Sequence, residues 1–354
     1  MRVLVRMPNW LGDVVMALPV FEALRVHFVG SVLAAAVPSR LRSLLSTLPA
    51  IDEVIPLDRK GGHRRRLFAE IETLRQGSFD MVLLLPNSFG AAWAAWRAGI
   101  PERWGLSSQW RRKLLTRAVT LSSRGSSVLH QAVRYQELLR GLGIDPVAPK
   151  PHLAGSVRMI EKARVRLTVE GCDQSRTLIG VAPGAAYGHA KRWMPGRYAA
   201  VALRLSREFD ATVLLLGDSH DRDAGYAIES EIAAGNQLGT CRRVVNLIGQ
   251  TSLSELIGLL ACCRVLVSGD SGPMHLAAAL GVPVTAIFGP TDDRLTAPLG
   301  SNKILFTPVW CRPCFFRDCP IDHRCMTKIS EEQVFQAVAS QLTSSIEARS
   351  RLLD

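Results

Sequence analysis

The sequence predicts an α/β protein built as two sequential parallel-sheet domains, and three observations carry that prediction. Short β-branched apolar runs alternate with longer helical patterns along nearly the whole chain, the signature of a parallel sheet with helices on both faces. The alternation stops at a polar stretch crowded with Pro146, Pro149 and Pro151, then restarts, as at a linker between domains. A length of 354 residues, 47% of them hydrophobic, suffices for two cores.

In the first half, Val3–Val5, Val32–Ala36, Val54–Leu57 and Met81–Leu85 read as strands. Val14–Phe28, Ser39–Leu48, Arg65–Arg75 and Gln131–Leu142 read as helices. Residues 1–150 therefore form one Rossmann-like domain. Residues 151–175 are a linker with a connecting helix at Val157–Val169. A second Rossmann-like domain spans 176–330. It runs as strand Thr177–Ala182, helix Arg197–Glu208, strand Ala211–Leu216, helix Asp221–Ala234, strand Arg243–Asn246 and helix Ser252–Ala261. A compact βαβ unit from Arg264 to Pro290 follows, and Ile304–Phe306 is a last strand. Residues 331–354 hold a C-terminal helix. Ser330 opens it, and Glu331 and Glu332 suit the positive end of its dipole.

Charge is uneven. Residues 1–150 hold 21 Lys/Arg against 11 Asp/Glu, and the remainder 22 against 20. Clusters stand at Arg59-Lys60 with Arg64-Arg65-Arg66, and at Arg111-Arg112-Lys113 with Arg117. Such a field attracts a polyanion, or its members simply solvate helices. No nucleic-acid recognition motif accompanies it, so no specific nucleic acid is expected. No run of about 18 uncharged apolar residues occurs, and the N-terminus enters a strand directly, without a secretory leader. A cytoplasmic protein is the expectation. No Gly-x-Gly-x-x-Gly follows the first strand, which argues against NAD.

Polar turns lie where strands end and helices begin, the usual place for ligands in open α/β sheets. The turn Gly269-Asp270-Ser271-Gly272-Pro273-Met274-His275 is one. Asp270 and Ser271 either cap the next helix or meet an anion there. The second is Pro183-Gly184-Ala185-Ala186-Tyr187-Gly188-His189-Ala190-Lys191-Arg192-Trp193. Its glycines let backbone amides approach a phosphate, and Lys191 and Arg192 are either charge-neutralising or an exposed basic pair. The third is Asn9-Trp10-Leu11-Gly12-Asp13. Asp13 either caps a helix beginning at Val14 or presents a carboxylate to a ligand.

These three segments together resemble the bacterial ADP-heptose:lipopolysaccharide heptosyltransferases, glycosyltransferase family 9, most closely the heptosyltransferase II branch. The resemblance implies the GT-B architecture, with an active site in the cleft between the domains and inverting transfer that needs no catalytic metal. It implies ADP-heptose as donor and the acidic inner core of lipopolysaccharide as acceptor, at the anionic cytoplasmic face of the inner membrane. On it, Asp13 is the general base. Asn9 and Trp10, with the basic residues Arg64, Arg65 and Arg66, serve the acceptor. Lys191 stabilises the departing ADP. Gly184, Ala185, Arg192, Asp270, Ser271, Gly272 and His275 hold the donor, and Asp218 is placed at the ribose. Ala186 departs from the acidic residue that the family often carries there. The alternatives are another heptosyltransferase of the family, adding a different heptose or acting on a protein, and a sugar-nucleotide-binding protein without turnover.

Four of the eight cysteines are grouped as Cys311, Cys314, Cys319 and Cys325, with His323 among them. This spacing suggests a structural zinc, and reduced thiols or a disulfide are the alternatives. Cys172, Cys241, Cys262 and Cys263 are scattered core residues or free thiols.

Overall fold

The computed structural model describes residues 1–58, 61–121, 128–235 and 243–350. The chain divides into two compact units, Met1–His152 and Leu153–Asp354. Arg59, Lys60 and Cys241 lie outside the described residues.

The first unit runs β1 (Arg2–Arg6), α1 (Leu11–Met16), α2 (Pro19–His27), β2 (Val32–Pro38), α3 (Arg42–Leu45), β3 (Glu53–Leu57) and α4 (His63–Gln76). It continues with β4 (Met81–Leu84), α5 (Phe89–Arg97), β5 (Glu102–Leu106), β6 (Arg117–Val119) and α6 (Gln131–Gly141). Its six strands are parallel, in the order β3-β2-β1-β4-β5-β6. Alternate residues of these strands face opposite layers. Leu4, Ala34, Ala36, Val82 and Leu84 pack on Ile71 and Leu74 of α4 and on Ala92 and Ala95 of α5. Truncating the fully buried Leu4 to Ala would cost about 2–5 kcal/mol.

The second unit runs α7 (Val157–Val169), β7 (Leu178–Ala182), α8 (Pro195–Glu208), β8 (Thr212–Leu215), α9 (Arg222–Gly235), β9 (Val244–Asn246), α10 (Leu253–Cys262) and β10 (Val265–Gly269). Then come α11 (Gly272–Ala279), β11 (Val284–Phe288), α12 (Asp293–Thr296), β12 (Lys303–Phe306), α13 (Arg324–Thr327) and α14 (Glu331–Ser350). Its order, β12-β11-β10-β7-β8-β9, repeats that of the first sheet. Ile179, Val181, Val213 and Leu215 pack on Tyr198 and Leu205 of α8, Ile228 of α9, and Phe335 and Val338 of α14. The C-terminal helix is thus part of the second core. The connecting helix α7 likewise lies along α10.

Two sequence expectations need correction. The single helix at Val14–Phe28 is two helices. Pro19, at the first position of α2, has no N–H to continue α1. The elements α5, β5, β6, α12 and α13 are additional. β5 reads Glu-Arg-Trp-Gly-Leu, whose polar start hides a strand. α5 puts alanines inward, which no amphipathic pattern reveals.

Candidate active site

In this strand order the chain reverses direction across the sheet between its first and fourth strands. Ligands bind outside the carboxyl ends of the strands at that point. The reversal falls between β1 and β4 in one sheet and between β7 and β10 in the other. Asp13 follows β1, Gly184–Arg192 follows β7, and Asp270–His275 follows β10.

At the first reversal, α1 begins at Leu11 with Trp10 as its N-cap, and the Trp10 side chain makes no capping bond. Asp13 is therefore in the first helical turn and is not the cap, which removes the capping alternative. Its charge is favourable there. It also acts on Tyr135 of α6. Burial and then the Asp13 charge push the Tyr135 hydroxyl above its ordinary range, and the Gln131 side chain hydrogen-bonds to that hydroxyl. Gln131, Arg134 and Tyr135 stand at helical spacing on α6, and both Gln131 and the Arg134 charge act on the Tyr135 hydroxyl. That spacing was the available sequence signal. Arg134 Nε is buried without a hydrogen-bond partner. Asn9 is held by Arg6, whose Nη2 donates to Asn9 Oδ1 at 3.2 Å, and by Arg40 Nη2, which donates to the Asn9 carbonyl at 2.8 Å. Arg6 itself pairs with Glu70 at 2.7 Å. Trp10 is exposed.

Arg64, Arg65 and Arg66 are exposed in the first turn of α4. Cations there oppose the helix dipole, so helix stability does not explain them. Arg111 corrects the second basic cluster. It is fully buried. Its Nε donates to the Leu106 carbonyl at 2.8 Å and its Nη1 to the Pro86 carbonyl, which ties the ends of β5 and β4. Burial lowers its pKa to about 10. Arg117 stacks on Trp104, 4.4 Å from the ring centroid. Arg112 and Lys113 remain exposed without such anchoring.

At the second reversal, Lys191 Nζ donates to Asp270 Oδ2 at 2.6 Å, and Thr291 Oγ1 donates to the same oxygen at 2.7 Å. Both side chains of the ion pair are largely buried, 13% and 9% exposed. The Lys191 ammonium also sits 5.1 Å from the centroid of the Tyr187 ring. Both bonds go to Oδ2. Oδ1 accepts no bond among the described residues, so it can still accept a ligand hydroxyl. Thr291, in Phe-Gly-Pro-Thr at the end of β11, was not among the expected site residues. Its signal was its place after a strand.

Asp221 is the second addition. Its carboxylate accepts the N–H of Asp218 at 3.3 Å and that of Ala185, and faces Arg192 at 3.5 Å. Burial raises its pKa above the ordinary value, against those bonds and the Arg192 charge. A Cβ on Gly184 would lie 2.1 Å from this carboxylate, so the glycine is required by side-chain approach. The Ala185 amide thus serves Asp221. Arg192 Nε is buried and unbonded. Trp193 leaves the loop for the core, where its Nε1 donates to the Ile329 carbonyl at 3.1 Å.

Ser271 is the N-cap of α11 but makes no side-chain capping bond, and its hydroxyl lies 3.0 Å from Ser268 Oγ. Gly272 opens the helix, and His275 is buried in its first turns. Asp218 is exposed, and its Oδ1 accepts from Ser219 Oγ at 2.9 Å and from the His220 N–H at 3.2 Å. Burial works to raise its pKa, but the bonds from His220 and Ser219 outweigh it. The loops after β8 and β9 meet there, the Gly249 N–H donating to the Gly217 carbonyl at 3.1 Å.

The cysteine-rich segment supports the Lys191 loop. The Ala190 N–H donates to the Arg317 carbonyl at 2.8 Å, Tyr187 Oη donates to the Phe315 carbonyl at 2.9 Å, and His323 Nε2 lies 2.6 Å from the Ala190 carbonyl. Cys311, Cys314, Cys319 and Cys325 are free thiols. Among the described residues no three His, Cys, Asp or Glu gather to hold a metal. The zinc expectation is therefore not supported: Cys311, Cys314 and Cys319 are near enough to act on the Cys325 thiol, but they form no metal-holding group with it, and the backbone of this segment is engaged with the loop.

Two parallel sheets of one strand order in sequence form an architecture of the GT-B class, and comparison with known proteins agrees. The structure is similar to that of the Escherichia coli ADP-heptose lps heptosyltransferase II. The TM-score is 0.78 at 28% identity, over 97% of this chain and 99% of that one. It also matches the fold of a glycosyl transferase family 9 protein from Veillonella parvula, at TM-score 0.81 and 24% identity, over 97% of each chain. Lipopolysaccharide heptosyltransferase 2 of Salmonella typhimurium strain LT2 is 33% identical over 308 residues, covering 84% of this chain and 86% of the relative. The family profile described as glycosyltransferase family 9 (heptosyltransferase) matches residues 67–324. The chain belongs to that family and is a glycosyltransferase.

Proposed function

We propose that this enzyme transfers a heptose from ADP-heptose to the inner core of lipopolysaccharide, as the names of its relatives in Salmonella typhimurium and Escherichia coli suggest. The observation that carries the reading is the Lys191–Asp270–Thr291 cluster at the reversal of the second sheet. There a buried ammonium stands beside the N-terminus of α11, two features that favour a diphosphate. The acceptor hydroxyl attacks the anomeric carbon as the bond to ADP breaks, and Asp13 takes the hydroxyl proton. Lys191 stabilises charge gathering on the departing diphosphate. Asp270 Oδ1 accepts from a donor hydroxyl, with Ser271, Gly272 and His275 on the diphosphate side and Asp218 on the ribose side. Asp221 holds the Gly184 loop and Arg192 in shape.

The first unit serves an acidic acceptor. Its excess of positive charge and the dipole-opposed Arg64, Arg65 and Arg66 support that assignment, with Asn9 and Trp10 next to Asp13. Among the described residues no helix is long and apolar enough to cross a membrane. The enzyme then works peripherally, at the anionic cytoplasmic face of the inner membrane.

The test is transfer in vitro. Purified enzyme, ADP-heptose and a deacylated inner-core acceptor should release ADP and yield an acceptor one heptose heavier by mass spectrometry. ADP-heptose binding without turnover would instead support the non-catalytic alternative. Lipopolysaccharide from a deletion strain should be truncated at the step this enzyme performs.

A further inference from the structure

We propose that the outer face formed by α4, α5 and the 3-10 turn at Arg111–Leu114 docks on an anionic lipid bilayer, with its aromatic side chains among the headgroups. This rests on the reading that the acceptor is a membrane-held glycolipid, and it assigns the surface by which the enzyme reaches that membrane.

The face is unusual in its polarity. On α5, Ala91, Ala92, Ala94 and Ala95 are the buried residues. Phe89, Trp93 and Trp96 follow at i, i+4 and i+7, so they share the opposite side. A helix covering a sheet normally turns its large apolar residues inward. Here Phe89 and Trp96 point out, each 47% exposed, while Trp93 between them is half-buried and also packs partly on the core. Phe68 on the neighbouring α4 is 61% exposed, and Trp110, just before the turn, is 97% exposed. The pieces adjoin one another: Arg75 Nη2 of α4 donates to the Arg97 carbonyl at the end of α5 at 3.2 Å, and α5 packs against the turn.

Exposed cations lie on the same elements. Arg64, Arg65 and Arg66 lie on α4, Arg97 at the end of α5, and Arg112 and Lys113 on the turn, all exposed. The Arg97 guanidinium lies 5.8 Å from the Trp93 centroid and 6.0 Å from that of Trp96. The acids of α4 are already paired, Glu70 with Arg6 and Glu72 with Arg75. The face therefore offers exposed aromatics within a field of one sign. Tryptophan settles at the bilayer interface, and each nearby basic residue adds attraction to anionic headgroups. The exposed aromatics of the second unit differ. Trp310, Phe315 and Phe316 share their segment with charges of both signs, Asp318 and Asp322 beside Arg312, Arg317 and Arg324.

The experiment uses the full chain with vesicles of phosphatidylethanolamine and phosphatidylglycerol, and with phosphatidylcholine alone as control. The wild type should sediment with the anionic vesicles. The Phe68→Ser/Trp96→Ser double variant should bind about tenfold more weakly or worse. Its deficit should persist at high salt, whereas that of Arg64→Gln/Arg65→Gln/Arg66→Gln should shrink as salt screens the charges. Brominated lipid should quench the wild type, and less so Trp96→Phe, which keeps an aromatic ring in place. Transfer to a short soluble acceptor should stay within about twofold of wild type in the double variant. A double variant that sediments like wild type, or quenching unchanged in Trp96→Phe, would overturn the proposal. So would wild type that ignores vesicles but forms a dimer abolished by the double substitution, which would give the face to a second copy. Vesicle binding with these losses, but no transfer by wild type to the soluble acceptor, would uphold this docking face and count against the transferase reading alone.

Discussion

The two sheets share one strand order, yet their reversal points differ in chemistry. In the second unit the charges are buried and paired, Lys191 with Asp270 and Arg192 with Asp221. In the first, Asp13 acts on a tyrosine of α6 and Arg6 pairs with Glu70, but Arg64, Arg65, Arg66, Arg112 and Lys113 of that unit are exposed. Topology dictates where a ligand can bind. The state of the charges indicates what it is. A preformed, partly neutralised pocket suits one small diphosphate of fixed shape. An open field of one sign suits a large anionic acceptor.

The comparison breaks most readily at Asp13. Asp13→Asn should lower kcat by roughly 10²–10⁴ while ADP affinity, measured by calorimetry, stays near wild type. Equal losses in rate and ADP binding would mean that the two units do not divide their tasks this way. Lys191→Ala comes next. Rate should fall by about 10²–10³, and ADP should bind more weakly, because the diphosphate is charged both before and during transfer. Unchanged ADP affinity with unchanged rate would leave Lys191 as only the partner of Asp270.

Gly184→Ala tests the pocket without touching a charge. The new Cβ meets the Asp221 carboxylate, so the variant should lose about 1–3 kcal/mol of stability and show a raised KM for the donor. A wild-type melting temperature would show that the loop can move aside. Asp221→Asn sharpens the same point through pH. The folded-state pKa of Asp221 is raised, so its contribution to stability is fully present below its unfolded value and is lost as pH rises through the folded one. The melting temperature of Asp221→Asn, relative to wild type, should therefore be higher at pH 7 than at pH 4.5. The donor KM should rise by roughly tenfold from the lost charge-assisted bonds. A pH-independent difference between the two melting curves would contradict this.

The smallest effect concerns the cysteines. Among Cys311, Cys314, Cys319 and Cys325, thiol titration of the native protein should reach exposed Cys319 first and Cys325 last, since burial and neighbouring thiols raise Cys325 to about 11. Metal analysis should find no stoichiometric zinc. A bound zinc released only on unfolding would restore the metal reading and make this segment more than a brace for the Lys191 loop.

The sequence by itself determined the alternation of strands and helices, the break near Pro149, and the turns that carry Asp13, Lys191 and Asp270. These are local properties. Periodicity, β-branching, proline and glycine act between near neighbours in the chain, and even the exact span of α7 is legible in this way. Where the local pattern was weak, as in β5 and the alanine-faced α5, the element passed unseen. Only the tertiary structure decided how each charge is used. Lys191 meets Asp270 from 79 residues away. Arg111 is sealed under two strand ends while its neighbours Arg112 and Lys113 face water. Asp221, legible only as the start of a helix, becomes the support of the Gly184 loop. Partners of this kind are brought together by strand order and register. Both are set by the packing of the whole sheet, and no stretch of the chain encodes them alone.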